Sequence, residues 1–255
     1  MPLEIVTIPC LEDNYAFLLH SDETAETALI DAPEAAPIVA ALAERDWHLT
    51  EIWLTHHHWD HIDGVAELKD ATGAKVVGAT ADAHRLPPLN TSLAEGSGYS
   101  FAGHPVQIFD VSGHTVGHIA FYVADAAVAF TADSLMALGC GRLFEGTADQ
   151  MWASLSKLAA LPPETLICSG HEYTASNAKF ALTIEPGNTR LAARATEIEQ
   201  TRANGQPTVP STLADELATN PFLRAHLPEM KSAIGMQDAP DAAVFAEIRK
   251  RKDEF

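Results

Sequence analysis

Short apolar and β-branched runs separated by turn residues dominate the first two-thirds of the chain, and such runs indicate strands. The pattern predicts strands at Glu4–Ile8, Ala16–Leu19, Thr27–Ile30, Glu51–Leu54, Lys75–Val77, Val106–Val111, Ile119–Val123, Val128–Phe130 and Thr165–Cys168. Apolar residues at helical spacing predict helices at Glu34–Arg45, from the residue after His61 to about Thr72, and at Asp149–Leu161. Strands mixed with helices indicate a layered domain of the α+β or α/β class.

The pattern changes after His171, because no convincing strand remains and helical spacing takes over. Helices are predicted at Ala175–Thr183, Arg190–Ala203, Leu213–Leu217 and Ala242–Arg251. We therefore predict two domains, the first over residues 1–172 and a small helical one over residues 173–255.

The composition is that of an ordinary globular protein, with 255 residues of which 47% are hydrophobic and 20% charged. No apolar run approaches the roughly 18 residues that span a bilayer, and the first residues do not resemble a signal peptide. The three cysteines, Cys10, Cys140 and Cys168, are too few and too scattered for a disulfide framework. We therefore expect a cytoplasmic monomer in a reducing compartment, with no membrane partner.

The charge argues against polyanionic partners. The chain has 16 Lys and Arg against 35 Asp and Glu, a formal net charge of −19 that repels nucleic acid and anionic lipid from most of the molecule. Against this background, Arg249–Lys252 concentrates four basic residues near the C-terminus. This cluster is a candidate site for a small anion. It also suits a solvated last helical turn whose cations complement the helix dipole, and both readings can hold together.

The strongest chemical signal is the segment Thr55–His61, which reads THHHWDH and follows a predicted strand. In an extended backbone His56 and His58 point the same way, and a turn can bring Asp60 and His61 inward. The competing interpretation is a histidine-rich surface loop. The position of the Thr55–His61 segment at the carboxyl end of a buried strand favours a metal site over a surface loop.

Three later turns also place a His or Asp after an apolar run, at Ser112–His118, Phe130–Ser134 and Ser169–Glu172. Each signal is weak alone, since such residues more often serve as hydrogen-bonded turn residues. Together with the first motif they offer five His and two Asp. That number suffices for two metals that share one carboxylate and keep open positions for water or substrate.

This arrangement resembles the metallo-β-lactamase superfamily, which implies an α+β fold, a four-layer αβ/βα sandwich over roughly residues 1 to 172, followed by a C-terminal α-helical domain. The resemblance implies that His56, His58 and His114 bind one metal, that Asp60, His61 and His171 bind the second, and that Asp133 bridges them. Asp60 and Asp133 would act in catalysis. His57 and Trp59 would face away from the metals, and His118 would have a structural or supporting role.

Further stretches resemble the hydroxyacylglutathione hydrolases, or glyoxalases II, over nearly the whole chain. The matching segments are Asp13–Tyr15, Thr55–His61, Ser112–Ile119, Phe130–Leu135, Gly139–Thr147, Ser169–Thr174, Glu185–Asn188, Asn220–Arg224 and Arg249–Asp253. The resemblance implies a glutathione-binding set formed by Arg142, Phe144, Tyr173, Asn177, Arg249 and Lys252. Three residues depart from the family pattern, because Arg142 replaces a common lysine, Phe144 a tyrosine and Ala132 a glycine.

The implied activity is hydrolysis of S-(2-hydroxyacyl)glutathione, such as S-D-lactoylglutathione, to glutathione and a 2-hydroxy acid such as D-lactate, in methylglyoxal detoxification. The implied cofactors are two divalent metals, with zinc first and iron or manganese as alternatives. The rival enzymes on this scaffold are an iron-dependent persulfide dioxygenase with a single iron and a lactonase. A non-catalytic scaffold is disfavoured, because a structural metal site would close its coordination sphere with protein ligands.

Overall fold

The computed structural model describes residues 3–255. These residues fall into two compact units according to their contacts. The first unit comprises the described residues up to Asp110 together with Val116–Ala132, and the second comprises Val111–Thr115 together with Asp133–Phe255. This division follows packing and differs from the domain boundary predicted at residues 172 and 173, which stays a prediction.

The first unit contains most of the strands. Its elements are β1 (Glu4–Cys10), β2 (Asn14–Ser21), β3 (Glu26–Ile30), α1 (Ala35–Arg45), β4 (Leu49–Trp53), α2 (Trp59–Ile62), α3 (Val65–Thr72), β5 (Lys75–Ala79), β6 (Thr91–Leu93), β7 (Tyr99–Phe101), β8 (His104–Asp110), β9 (Ile119–Val123) and β10 (Val128–Ala132), with a 3₁₀ turn at Ala124–Ala126.

One sheet of this unit has the strand order β1-β2-β3-β4-β5-β6. Strands β1, β2 and β3 pair antiparallel, whereas β3 through β6 pair parallel. Parallel neighbours end at the same edge of a sheet. The residues that follow β3, β4 and β5 are therefore brought to one edge.

The antiparallel strands β7, β8, β9 and β10 form a second layer, joined to the first through an aromatic contact. Trp53 is fully buried and lies edge-on to Tyr99 and Phe101, and its ring centroid is 5.0 Å from that of Phe121. Its indole Nε1 donates to Glu51, which satisfies the polar end of the buried ring.

Helices α1 and α3 cover the other face of the first sheet. Ile38 and Leu42 of α1 and Leu68 of α3 pack with strand residues such as Leu29 and Val76 in one buried core. Burial of such side chains contributes about 1.5–3 kcal/mol each. The helices are therefore held by their apolar faces against the sheet.

The prediction that a helix begins after His61 is wrong. Helix α2 begins at Trp59, inside the histidine motif, and Gly64 separates α2 from α3. A Cβ at Gly64 would lie 2.9 Å from the carbonyl carbon of Glu34, so this close backbone approach requires glycine. The pattern also missed β6 and β7, which have three residues each and are too short to show an alternation.

The second unit is mainly helical. Its elements are β11 (Leu135–Met136), β12 (Gly139–Cys140), α4 (Ala148–Ala159), β13 (Leu166–Ser169), α5 (Thr174–Ile184), α6 (Thr189–Ala203), β14 (Ser211–Thr212), α7 (Leu213–Thr219), α8 (Pro228–Ala233) and α9 (Asp241–Asp253). The expectation of no strand after His171 is wrong, because β14 pairs antiparallel with β13. In the described part of the chain, no helix is long and apolar enough to cross a bilayer.

A buried ionic cluster ties the β11–β12 hairpin to helices α6 and α7. Glu216 is fully buried; it accepts hydrogen bonds from Arg194 and, at 2.8 Å, from the backbone N of Leu138. Asn220 donates to the same carboxylate at 3.0 Å and to the carbonyl oxygen of Gly139 at 3.0 Å. The position of the hairpin therefore depends on Glu216.

We expect Glu216→Ala to lower the free energy of unfolding by about 3 kcal/mol, because it removes one partner of a buried ion pair. Glu197→Ala, an exposed carboxylate on the same helix as Arg194, should change it by less than about 0.5 kcal/mol. Urea denaturation compares the two variants. Equal effects would show that Glu216 is not a stabilising residue of this unit.

Candidate metal centre

The seven predicted metal ligands are distributed over both units, and each unit brings its own members together. His56, His58, Asp60 and His61 belong to the first unit, and His114, Asp133 and His171 to the second.

In the first unit, His56 and His58 follow β4 and face each other. The Nε2 atom of His56 lies 3.2 Å from Nδ1 of His58, as the alternation of side chains predicts. Two ring nitrogens at this distance suit a shared cation. The ring of His61 is also close, with its centroid 4.2 Å from that of His56.

Asp31 orients these rings, and the sequence analysis missed it. Its buried carboxylate accepts hydrogen bonds from His61 Nδ1 at 2.8 Å, from Thr55 Oγ1 at 2.8 Å and from Thr55 N at 2.9 Å. Thr55 Oγ1 in turn lies 3.0 Å from His56 Nδ1. The Nδ1 atoms of His56 and His61 are thus held on the side of Asp31. A carboxylate behind a metal-binding histidine is the usual way to orient such a ring.

Asp60 is held by Asn14, the first residue of β2. The side-chain amide of Asn14 donates to the backbone oxygen of Asp60 at 3.0 Å and to its carboxylate at 3.1 Å. The same Asp60 carboxylate lies 3.8 Å from Nε2 of His61. Both Asp60 and His61 lie in the single turn of helix α2.

In the second unit, Asp133 lies between two histidines. Its Oδ2 atom is 3.5 Å from Nε2 of His114 and 3.3 Å from Nε2 of His171. His114 Nδ1 donates to the backbone oxygen of Arg142 at 2.8 Å, which turns Nε2 toward Asp133. One carboxylate oxygen within reach of two imidazoles is what the predicted bridging role requires.

Small residues make room for this half of the centre. A Cβ at Gly141 would lie 2.0 Å from the backbone oxygen of Asp133 and 2.8 Å from Nδ1 of His114, so no side chain fits there. Ala132, where the family pattern has glycine, has a φ of 40°. This conformation is strained for alanine and explains the glycine of the pattern.

Two aromatic residues from the predicted substrate-binding set contact these ligands. The Tyr173 ring stacks on His171 with centroids 4.7 Å apart, and the exposed Phe144 ring lies 5.2 Å from His114. These two aromatic rings therefore lie directly beside predicted metal ligands.

The basic residues of that set differ in exposure. Arg142 is 67% exposed in its side chain, whereas Arg249 is 5% exposed and donates to the backbone oxygen of Cys140 and to Asp253. The Arg142 Nε atom lies 3.9 Å from the same Asp253 carboxylate. Burial and the nearby Arg249 and Arg142 lower the pKa of Lys252 below its ordinary value, while Asp253 opposes that shift.

The remaining residues named in the sequence analysis take other positions. Asn177 is buried and its amide donates to the backbone oxygen of Ala137 at 3.0 Å. Trp59 is 63% exposed, and His57 contacts Asp82. The buried His118 ring stacks parallel to that of His56 at 4.6 Å.

The donor set fits a divalent metal. It consists of imidazole nitrogens and carboxylate oxygens without thiolates, which suits zinc, iron or manganese. Hydrogen bonds from His61 to Asp31 and from His114 to the backbone fix the ring orientations in the manner of metal ligands.

Comparisons with known proteins cover the whole chain. The family model described as "Metallo-beta-lactamase superfamily" matches residues 14–171, and that described as "Hydroxyacylglutathione hydrolase C-terminus" matches residues 172–255. A protein of Ruegeria pomeroyi named hydroxyacylglutathione hydrolase is 64% identical over 255 residues, which cover all of both chains.

Solved structures share the fold at lower identity. The BLEG-1 B3 metallo-β-lactamase aligns with a TM-score of 0.67 and 22% identity, covering 86% of this chain and 99% of that one. The protein TTHA1623, solved in a di-iron-bound form, aligns with a TM-score of 0.63 and 26% identity, covering 86% of this chain and 100% of that one.

We expect Asp31→Asn to weaken metal binding by about 10- to 100-fold, because an amide offers one oxygen to three donors. Asparagine tolerates the positive φ of 57° at this position, so the change isolates the carboxylate. Asp22→Asn is the matched control, since Asp22 pairs with His20 through an exposed carboxylate. Competition with a zinc chelator measures both, and equal affinities would contradict the role of Asp31.

Proposed function

Because the chain belongs to the hydroxyacylglutathione hydrolases of the metallo-β-lactamase superfamily, we propose that it hydrolyses S-(2-hydroxyacyl)glutathione thioesters. The products are glutathione and a 2-hydroxy acid. With S-D-lactoylglutathione the acid is D-lactate, which places the reaction in methylglyoxal detoxification.

One observation carries this proposal beyond the family. Within the second unit, Tyr173 stacks on His171 and Phe144 lies against His114, so the surface offered to a ligand touches the metal-binding side chains. A thioester seated on these rings would present its carbonyl to the metal-binding residues. The residues that would bind the substrate therefore contact the residues that would hold the metals.

The metallo-β-lactamase fold and the His and Asp clusters support a dinuclear site. By the family pattern, His56, His58 and His114 would hold one metal, Asp60, His61 and His171 the other, and Asp133 both. Zinc is our first choice among the metals that suit this donor set. When bound, such a pair supplies a nucleophile at neutral pH and polarises the thioester carbonyl.

The chain's own residues account for orientation in this reaction. Asn14 fixes the Asp60 carboxylate, which can accept a hydrogen bond from the attacking water and so aim it. The leaving group is the thiolate of a thiol with a pKa of about 8.5, so it departs without a protein acid. This explains how hydrolysis proceeds with only His and Asp side chains at the centre.

The basic cluster of α9 and the turn before α4 would bind the anionic end of glutathione. Arg142 and Lys252 offer their cations directly, whereas Arg249 adds charge from a buried position. Phe144 lacks the hydroxyl of a tyrosine, a loss of about 1 kcal/mol of binding. Asn177 would contribute by supporting the β11–β12 hairpin through Ala137.

The cysteines are compatible with a glutathione-releasing enzyme. Burial raises the pKa of Cys10 to about 12 and that of Cys140 to about 11, and it also raises the pKa of Cys168. A thiol with a raised pKa carries little thiolate at neutral pH and exchanges slowly with other thiols. Free, buried cysteines are consistent with the reducing compartment that the proposal assumes.

The proposal also concerns the domain organisation, the cellular location and the oligomeric state. The two family models meet between residues 171 and 172, which supports a helical glutathione-binding domain over residues 173–255. The cytoplasmic location and the monomeric state stay predictions.

We expect Asp133→Asn to reduce kcat/KM for S-D-lactoylglutathione at least about 100-fold, because the carboxylate between two histidines is lost. The control is Asp149→Asn, an exposed residue in the first turn of α4. Thioester hydrolysis is measured together with the metal content of each protein. Absent hydrolysis by the wild type, with oxygen uptake on glutathione persulfide and one iron per chain, would overturn the proposal in favour of a dioxygenase.

We expect Lys252→Met to raise KM for the same thioester about 10-fold near neutral pH, with little change in kcat. Since the pKa of Lys252 is lowered, its charge is lost as pH rises through a range below that of an ordinary lysine. The wild-type KM should therefore rise with pH in that range, and the variant should show no such rise.

Lys250→Met is the control for this experiment, because Lys250 is an exposed cation in the same helical turn. It should leave both KM and its pH profile near the wild-type values. Equal behaviour of the two variants would remove Lys252 from the substrate-binding set.

A further inference from the structure

A buried carboxylate lies beside the middle histidine of the metal-binding segment. Asp82 is 1% exposed, and its Oδ2 atom accepts a hydrogen bond from Nδ1 of His57 at 2.9 Å. Asp82 follows β5 as His57 follows β4, and these two strands are parallel neighbours. The hydrogen bond therefore joins two loops at the same edge of the sheet.

Asp82 is itself firmly placed. Its Oδ1 atom accepts from Nε of Arg85 at 2.9 Å, and its backbone oxygen accepts from the backbone N atoms of Arg85 and Leu86 at 2.8 and 3.0 Å. Arg85 thus balances the charge of the buried carboxylate, and the tight turn fixes the backbone. Hydrogen bonds therefore hold the acceptor for His57 at both its side chain and its backbone.

A third segment converges on the same carboxylate. A Cβ at Gly117 would lie 2.2 Å from Cγ of Asp82, so this glycine of the Ser112–His118 motif leaves the space that Asp82 fills. The backbone N of Ile119 donates to the carbonyl oxygen of Thr55 at 2.9 Å, which runs this segment alongside the histidine motif.

The segment that carries His56 and His58 needs such support. Residues 54–58 belong to neither a helix nor a strand. Backbone hydrogen bonds from Leu54 N to Val77 O, from Ile119 N to Thr55 O and from His61 N to His58 O hold the two ends of this segment. The side chain of His57 can fix its middle, because His57 lies between the two predicted ligands in sequence.

We propose that Asp82 is a positioning residue of the metal centre: by holding the His57 ring, it fixes the backbone between His56 and His58 so that their ring nitrogens face each other. The inference rests on the proposed function in taking His56 and His58 as metal ligands. Asp82 acts through a residue that is not a ligand, which separates its role from that of Asp31. It preorganises the site and does not contact the reacting atoms.

The test compares Asp82→Ala and His57→Ala with the wild type. Both should weaken zinc binding by about 10-fold in chelator competition, because the histidine segment loses its tether. In both variants, excess zinc should restore kcat with an unchanged KM for the thioester. The absorption spectrum of the cobalt(II)-loaded protein should shift in the same way in both variants.

The double variant and a conservative one sharpen the result. Because the two residues act through one hydrogen bond, Asp82→Ala combined with His57→Ala should bind zinc as tightly as either single variant. His57→Asn should recover most of the affinity, since its amide can donate to Asp82 as the imidazole does. His57→Ala retains the Asp82–Arg85 pair, so it tests the tether even if Asp82→Ala fails to fold.

Wild-type zinc affinity in His57→Ala, or additive losses in the double variant, would overturn the proposal. Asp125→Asn is the control, because it removes the carboxylate of the exposed His104–Asp125 pair, and it should bind zinc as the wild type does. Zinc binding is measured without substrate. A wild type that binds zinc but hydrolyses no thioester would therefore refute the proposed function and leave the role of Asp82 to be decided by these affinities.

Discussion

A buried carboxylate cannot stay charged without donors, and this requirement governs the metal-binding part of the first unit. Asp31 directly follows β3, and its carboxylate accepts two hydrogen bonds from Thr55 and one from His61. The backbone reinforces the arrangement, because Asp31 N donates to Trp53 and Ala32 N to His61. The parallel pairing of β3 with β4 makes these contacts possible, since it brings both strand ends to one edge. Ring orientation at the centre therefore follows from the sheet.

The second unit reaches a similar result by different means. Its strands are short, and the β11–β12 hairpin is held from behind by buried side chains of the helices, chiefly Glu216, Asn220 and Asn177. The hairpin precedes Gly141 and Arg142, whose backbone contacts Asp133 and His114. Helical packing is thus connected to the geometry of the predicted ligands His114 and Asp133.

Because the molecule is acidic, a cluster of cations on it is unusual. In a chain of net charge −19, the Arg142, Arg249 and Lys252 cluster is a local exception. Asp253 partly balances the two arginines, which keeps a dense group of cations stable in the absence of an anion. An incoming carboxylate would then replace a weak contact between Arg142 and Asp253 rather than meet an unbalanced charge. This arrangement supports the proposed binding of a small anion.

The sequence alone determined the chemistry of this protein and most of its elements. The histidine motif, the two later histidines and Asp133 could be singled out as candidate ligands because ligand types and strand-end positions are local properties. The nine predicted strands all lie within or overlap observed ones, whereas strands of two or three residues and the start of α2 escaped, since short segments show no period. Only the tertiary structure revealed Asp31 and Asp82, and only it showed that Asp253 pairs with Arg142 and Arg249. A lone aspartate has no sequence signature, and its role arises from which loops the parallel sheet and the helices bring together.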